Sequence, residues 1–216
     1  MASRRTPKLD KKQVVETALR LLNEVGLDGL TLRAIAKELD VQAPALYWHF
    51  KNKQALLDEM ATEMYRRMTA DARLPEGATW QDRIVASQRG LRTALLGYRD
   101  GAKVFSGTRF TGTEHAADME ANLRALVEAG LTLPQAVRAS TTAHYFTLGF
   151  VTEEQGVWPL PGERREGYDV EERAARMADF PLAASAGAEV FQNYEEGFEE
   201  GLLLLIAGIA ARYGIE

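Results

Sequence analysis

Between residues 11 and 25 the apolar positions Val14, Ala18, Leu21, Leu22 and Val25 share one stripe at helical spacing, with Asp10 placed to cap the helix and Gly26 to stop it. A second, shorter stripe of Leu32, Ile35, Ala36 and Leu39 follows Thr31, a good N-cap, and predicts a helix over 32–39. Asp40 then stands at a tight turn and is among the few non-glycine residues that tolerate a left-handed backbone. The next stretch, V-Q-A-P-A-L-Y-W-H-F-K-N-K over 41–53, carries Pro44 in its first turn, where a missing N–H costs nothing. Here Leu46 and Phe50, four apart, face a core, while Tyr47, Trp48 and His49 fall toward the flank and front. Three short helices, the last two about four residues apart, make the helix-turn-helix arrangement, whose second member lies in the major groove. The rings and polar tips of 47–49 then suit sugar and phosphate, with Lys51 and Lys53 adding charge. Alternatively Tyr47 and Trp48 complete a small hydrophobic core.

From Asn52 onward the pattern is helical throughout. Ala55, Leu56, Glu59, Glu63, Arg66 and Arg67 continue a helix out of the small domain, and L-P-E-G at 74–77 ends the connection. Thr79 caps a further helix to about Tyr98, 114–129 reads as another closed by Gly130, and Thr132 opens a longer one to about Gln155. That last helix bears a stripe of small residues, Ala136, Ala139, Ser140, Ala143 and Thr147. Residues 156–170 form the one long Pro/Gly loop. The final helix, about Gly187 to Tyr213, aligns Phe191, Tyr194, Phe198, Leu202, Leu205 and Ile209, and its C-terminal half is apolar all round. A small stripe on one long helix and a wide apolar face on another suit a two-fold four-helix bundle between subunits; burial within one chain is the alternative. The expected fold is all-α, with a three-helix helix-turn-helix domain at 1–51 and a larger helical domain at 52–216.

Charge sharpens this division. The net charge of -5 is split unevenly: residues 1–53 carry 10 Lys+Arg against 6 Asp+Glu, net +4, and the remainder 16 against 25, net -9. A basic end meeting a polyanion fits the split, although an ordinary solvated tail produces it too. The chain has no cysteine, which excludes disulfides and thiolate metal sites. Its basic start lacks the apolar run of a signal peptide, and the longest apolar run, Gly201 to Ala211, is too short to cross a bilayer. A soluble, cytoplasmic protein with no membrane partner is expected. No H-E-x-x-H, phosphate-binding glycine loop, dinucleotide fingerprint or nucleophile elbow occurs, so an enzyme built on His144, Glu153 and Arg109 has no spacing to recommend it. A non-specific architectural DNA binder would have little use for the large acidic domain.

Several segments carry a family resemblance: L-L-N-E-V-G (21–26), L-Y-W-H-F-K-N-K (46–53) with A-L-L-D after it, W-Q-D (80–82), R-D-G-A-K-V (99–104) with G-T-R (107–109), and F-T-L-G (146–149) followed by E-E-Q (153–155). Together they cover most of residues 9–155, and the chain resembles the tetracycline-repressor family of bacterial transcriptional regulators. After 156 it is similar only in helical character. The resemblance implies a homodimer joined through the C-terminal domain, a double-stranded, palindromic DNA operator, and a small-molecule inducer held in the larger domain. It also implies that 99–109 moves on ligand binding and pushes the helix beginning near Lys53, so that the two reading domains leave register.

By resemblance, Arg33, Pro44, Tyr47, Trp48, His49 and Lys53 match DNA-contact positions, Arg33 reaching a base edge and Tyr47 and Lys53 holding phosphates. Gln42, Ala43 and Ala45 replace the family's Glu, Gln and Thr, so the operator sequence should differ. The ligand-site positions correspond to Thr69 (for His), Ser87 (for Asn), Leu91 (for Phe), Phe105 (for His) and Asn122 (for Gln), with Thr108, Arg109 and Glu153 retained. Phe105 has no lone pair to offer a metal, and one surviving carboxylate makes a weak magnesium site. The expected inducer is polycyclic or aromatic, with no obligatory metal and no cofactor, although plain core packing also accounts for Leu91 and Phe105. Of the histidines outside the DNA face, His115 reads as a solvated helix-start residue, and His144 as either a pocket donor or a buried, paired imidazole.

Overall fold

The computed structural model describes residues 9–70 and 73–216, so the basic opening at 1–8 lies outside the described residues. Among these the chain is all-α, with eleven helices and no strand. Helix α1 (Lys11–Gly29) starts where Asp10 accepts from the Gln13 N–H and breaks at Gly26, whose φ is 68°. Only glycine suits that point, since a Cβ there would take on a positive-φ conformation and come 3.1 Å from the Asp100 carboxylate. Val25, expected in the core, is 44 % exposed. The chain folds back at Gly26 and sets Gly29 against Val25, a residue with no side chain to cover it.

Helix α2 (Leu32–Glu38) is capped by the Thr31 hydroxyl, which accepts from the Ala34 N–H, and α3 (Ala43–Tyr47) begins with Pro44 in its first turn. Between them Asp40 adopts the left-handed conformation, φ 51°. Leu46 and Phe50 are fully buried and fix α3 to α1 and to α4 (Lys53–Thr69), which Asn52 caps through the Ala55 N–H. This core does not stop at the small domain: it runs through Met60 and Met64 of α4 to Leu91 and Leu95 of α5 (Trp80–Leu96), Val104 and Phe105 of α6 (Gly101–Phe105), and Val151 of α8 (Leu133–Val157). A second core joins α5, α7 (His115–Glu128), α8 and α11 (Tyr194–Tyr213).

Two expectations for the C-terminal half need correction. The small stripe of α8 serves the protomer itself: Ala136, Ala139, Ala143 and Thr147 are buried, and Thr147 donates to Gln88 of α5 at 2.9 Å, so short side chains bring α5 close. The α8 and α11 side chains left exposed within the protomer are larger, Leu133, Val137 and Tyr145 on α8 and Leu203 and Leu204 on α11. The final helix begins at Tyr194 rather than Gly187. Residues Pro181–Phe191 form a separate helix, α10, ended by non-helical backbone at Gln192 and Asn193. Phe191 therefore leaves the expected stripe and meets Tyr168, 6.0 Å away, and the Arg173 guanidinium. Ile206 takes the stripe position assigned to Leu205, since 194, 198, 202, 206 and 209 are the buried residues. Where the expected loop ends, a further short helix begins, α9 (Val170–Arg176), capped by Asp169; it buries no residue, so no apolar stripe marks it.

Candidate DNA-reading surface and ligand site

The α3 turn presents its aromatics outward. Trp48 is 88 % exposed and Tyr47 53 %, which removes the core-completing alternative for both, while His49 is half-buried. Arg33, Gln42 and Pro44 are also exposed, and Ala43 and Ala45 half-buried. Gln42 stands at the N-cap without spending its side chain on the cap. Lys53 differs from its neighbours, because its ammonium donates to the Leu27 carbonyl at 2.7 Å and ties the start of α4 to the end of α1.

In the larger domain rings gather where α4, α6, α7 and α8 meet. Phe110 lies 4.9 Å from Tyr65, 4.8 Å from His115 and 5.6 Å from Phe105, and Phe105 lies 6.2 Å from His144. Leu91 and Phe105 belong to the continuous core on whose edge this cluster sits. Other expected positions surround it less directly. Thr69 donates back to the Tyr65 carbonyl at 3.1 Å and Thr108 to the Phe105 carbonyl at 2.7 Å, while Ser87 and Asn122 are half-buried on α5 and α7. Arg109 holds Asp58 through its backbone N–H, 3.1 Å, and its side chain is exposed. Glu153 is exposed on another face of α8, where its charge acts on Tyr194, and the protomer does not bring it to the rings.

Tyr65 and Phe110 are members of the ring cluster that motif reasoning passed over, and His144, read above as a pocket donor or a buried imidazole, stands beside Phe105. Tyr65 could have been found, since it precedes Thr69 by four on α4. His115, expected in solvent, is half-buried against Phe110, and its Nδ1 is buried without a partner. Burial lowers the His144 imidazole below its ordinary value and favours the neutral ring. Burial and the Asp118 carboxylate, accepting from its hydroxyl at 2.7 Å, raise Tyr65.

Two carboxylates beside the rings are already engaged by neighbouring donors, Asp118 by Tyr65 and Glu114 by Arg66 at 2.9 Å. Among the described residues no three His, Cys, Asp or Glu side chains converge.

The turn between α5 and α6 links this region to the reading surface. Asn23 of α1 accepts from the Arg99 N–H at 2.9 Å, the Arg99 side chain donates to the Asn23 carbonyl at 2.9 Å, and Asp100 accepts from the Leu27 N–H at 3.0 Å. Burial pushes the Asp100 carboxyl up, but Lys103, the Leu27 N–H and Arg99 together hold it below its ordinary value. From the other side Gln155 of α8 donates to the Leu95 and Tyr98 carbonyls and accepts from the Ala102 N–H. The turn is thus pinned between α1 and α8.

Comparison with known proteins agrees with this architecture. Residues 14–60 match the profile of bacterial regulatory proteins of the tetR family, and 74–213 that of the tetracyclin repressor-like C-terminal domain. The chain is 41 % identical over 209 residues to the tetracycline repressor protein class A from transposon 1721 of Escherichia coli, covering 95 % of this chain and 92 % of that one. A possible TetR family transcriptional regulator from Streptomyces coelicolor A3(2) superimposes with a TM-score of 0.81 at 37 % identity, covering 94 % of this chain and 99 % of the other. TetR class A in complex with 5a,6-anhydrotetracycline and magnesium gives 0.66 at 34 % identity, and BioQ with its double-stranded DNA operator 0.62 at 31 %, each covering 94 % of this chain and 99 % of the other. With both halves matched and most of its length aligned to a repressor, the chain belongs to the tetR family of bacterial regulatory proteins.

Proposed function

We propose that the protein is a ligand-responsive transcriptional repressor that binds a palindromic operator as a homodimer and leaves it when a small aromatic molecule enters the larger domain. The observation that carries this is the α3 turn: Leu46 and Phe50 anchor it while Tyr47 and Trp48 stand in solvent, and the same core continues into the ring cluster. An operator-bound relative and an anhydrotetracycline-bound relative of similar fold support both halves of the reading. The reading domain ends near residue 51, where Lys53 starts α4, and the remainder binds ligand and dimerises through the exposed faces of α8 and α11. Reading chromosomal DNA places the protein in the cytoplasm, and none of its described helices is long and apolar enough to cross a membrane.

Arg33 and Gln42 read base edges, Pro44 and the alanines at 43 and 45 shape the contact, and Tyr47, Trp48, His49 and Lys53 lie along the backbone. Leu91 and Phe105 form the apolar wall of the ligand site, with Thr69, Ser87, Thr108, Arg109 and Asn122 around it. Glu153 joins the site only from the direction of a second subunit. The ligand binds without magnesium, because Phe105 and the committed carboxylates supply no ligand set. A ligand shifts the dimer only by binding one geometry more tightly than the other, and the pinned 97–100 turn is the lever.

Selection from random duplexes should yield a two-fold sequence. In gel shifts Gln42→Ala relaxes base preference, whereas Lys53→Ala weakens every sequence alike and flattens the salt dependence. The same pattern for both substitutions rejects the assignment. Calorimetry showing tight, magnesium-dependent anhydrotetracycline binding overturns the metal-free site.

A further inference from the structure

Glu59 sits on the face of α4 that looks toward both α1 and the loop joining α6 to α7, and it is only 7 % exposed. One of its carboxylate oxygens, Oε2, accepts from the Lys11 ammonium of α1 and from the Thr111 hydroxyl of that loop, the latter at 2.7 Å. Its other oxygen accepts from Arg66 at 3.4 Å, and Arg66 also grips Glu114 at the far end of the loop. Burial pushes the Glu59 carboxyl up, but the bonds from Lys11 and Thr111 and the charges of Lys11 and Arg66 hold it below its ordinary value. It is therefore charged, and a buried charge is costly unless every partner stays in place.

Both ends of this contact lead somewhere. Thr111 directly follows Phe110, the ring at the centre of the aromatic cluster, and its N–H is held by the Thr62 hydroxyl at 2.9 Å. On the other side the Lys11 ammonium lies 5.7 Å from the centre of the Phe50 ring, the residue that anchors α3. A molecule that parts the rings moves Phe110 and with it Thr111. The carboxylate then changes its share of bonding to Lys11, since both donors use the same oxygen.

We propose that Glu59 is a positioning residue for operator binding, coupling the Phe110–Thr111 loop to α1 through one shared carboxylate oxygen. This rests on the repressor reading above and adds a route independent of the 97–100 turn. Lys11 and Thr111 are not bonded to each other, and the atom they share is Glu59 Oε2.

The test is a mutant cycle on affinity for a two-fold duplex selected from random sequence, using the full-length dimer: wild type, Lys11→Met, Thr111→Val and the double variant, repeated in a Glu59→Gln background. The effects of the two substitutions on operator affinity should depart from simple multiplication by about threefold or more, and should multiply to within about twofold once Glu59 is Gln. A purely structural role would give the non-additivity in thermal unfolding without DNA but not in operator affinity, which overturns the proposal. If Glu59→Gln fails to fold, the cycle in the wild-type background decides alone: multiplicative effects there refute the coupling while leaving the repressor reading intact. Failure of the wild type to select any two-fold sequence removes the repressor reading, and the coupling falls with it.

Discussion

Replacing Gln155 with Leu removes a buried polar clamp while nearly preserving its volume, so its cost follows from hydrogen bonds rather than from a cavity. Gln155 is 6 % exposed and makes three bonds: to the Leu95 carbonyl at 3.1 Å, to the Tyr98 carbonyl at 2.7 Å, and from the Ala102 N–H at 3.1 Å. The three losses are unequal. Leu95 still accepts from the Tyr98 N–H and Tyr98 from the Gly101 N–H, so neither carbonyl is orphaned. Ala102 is different: it sits in the first turn of α6, where the backbone N–H has no partner within the helix, and it is fully buried. Leaving that donor unpaired costs about 1–3 kcal/mol, and the two weakened carbonyls add about 1 kcal/mol, for a loss of roughly 2–4 kcal/mol. Urea unfolding followed by circular dichroism, at one fixed protomer concentration because a dimer's stability depends on it, reads this as a lower midpoint at unchanged slope. A loss below about 0.5 kcal/mol, the range of ordinary surface changes, would refute the claim that the buried Ala102 N–H depends on Gln155. Operator affinity should fall further than stability predicts, since the same turn holds Asn23 and Leu27.

Other outcomes follow from the same geometry. Trp48→Ala leaves the unfolding midpoint within about 0.5 kcal/mol of wild type, because the ring is 88 % exposed, yet weakens operator retention in a gel shift. A Cβ at Gly101 would lie 2.2 Å from the Leu95 carbonyl oxygen, so Gly101→Ala forces backbone to move and lowers stability by about 1–3 kcal/mol in the same urea assay. His144 is held below its ordinary value of 6.5, so below that pH the unfolded chain binds its proton more readily than the folded one. Its neutral ring therefore favours the folded state fully above about pH 6.5 and progressively less as pH falls, and His144→Gln should reduce the loss in urea midpoint between pH 7.5 and about pH 5.5. Unchanged pH dependence in that variant would remove His144 from the buried cluster.

Caps and stripes were legible in the chain because they depend on neighbours within four residues. Asp10, Thr31 and Thr79 cap the helices they precede, and Asp40 takes the left-handed turn, each through atoms a few positions away. The burial of Leu46 and Phe50 follows equally from their spacing on a short helix, whereas the chain left Tyr47 and Trp48 between a core and an exposed place, and the structure put them in solvent. The ligand region was legible only in part. Phe105 and Leu91 are found together, but Tyr65, Phe110, His115 and His144 come from four separate segments, and no spacing along the chain announces that they meet.

What only tertiary structure decided is where polar groups go when they are buried. Glu59 and Gln155 read as ordinary helix positions, yet one collects Lys11, Thr111 and Arg66 and the other closes the turn before α6. The same holds for the small stripe of α8, whose composition permits close packing without saying whether its neighbour is α5 or a second subunit. Helix formation is decided by local hydrogen bonds and side-chain spacing, whereas a buried charge or amide is tolerated only where distant segments deliver its partners.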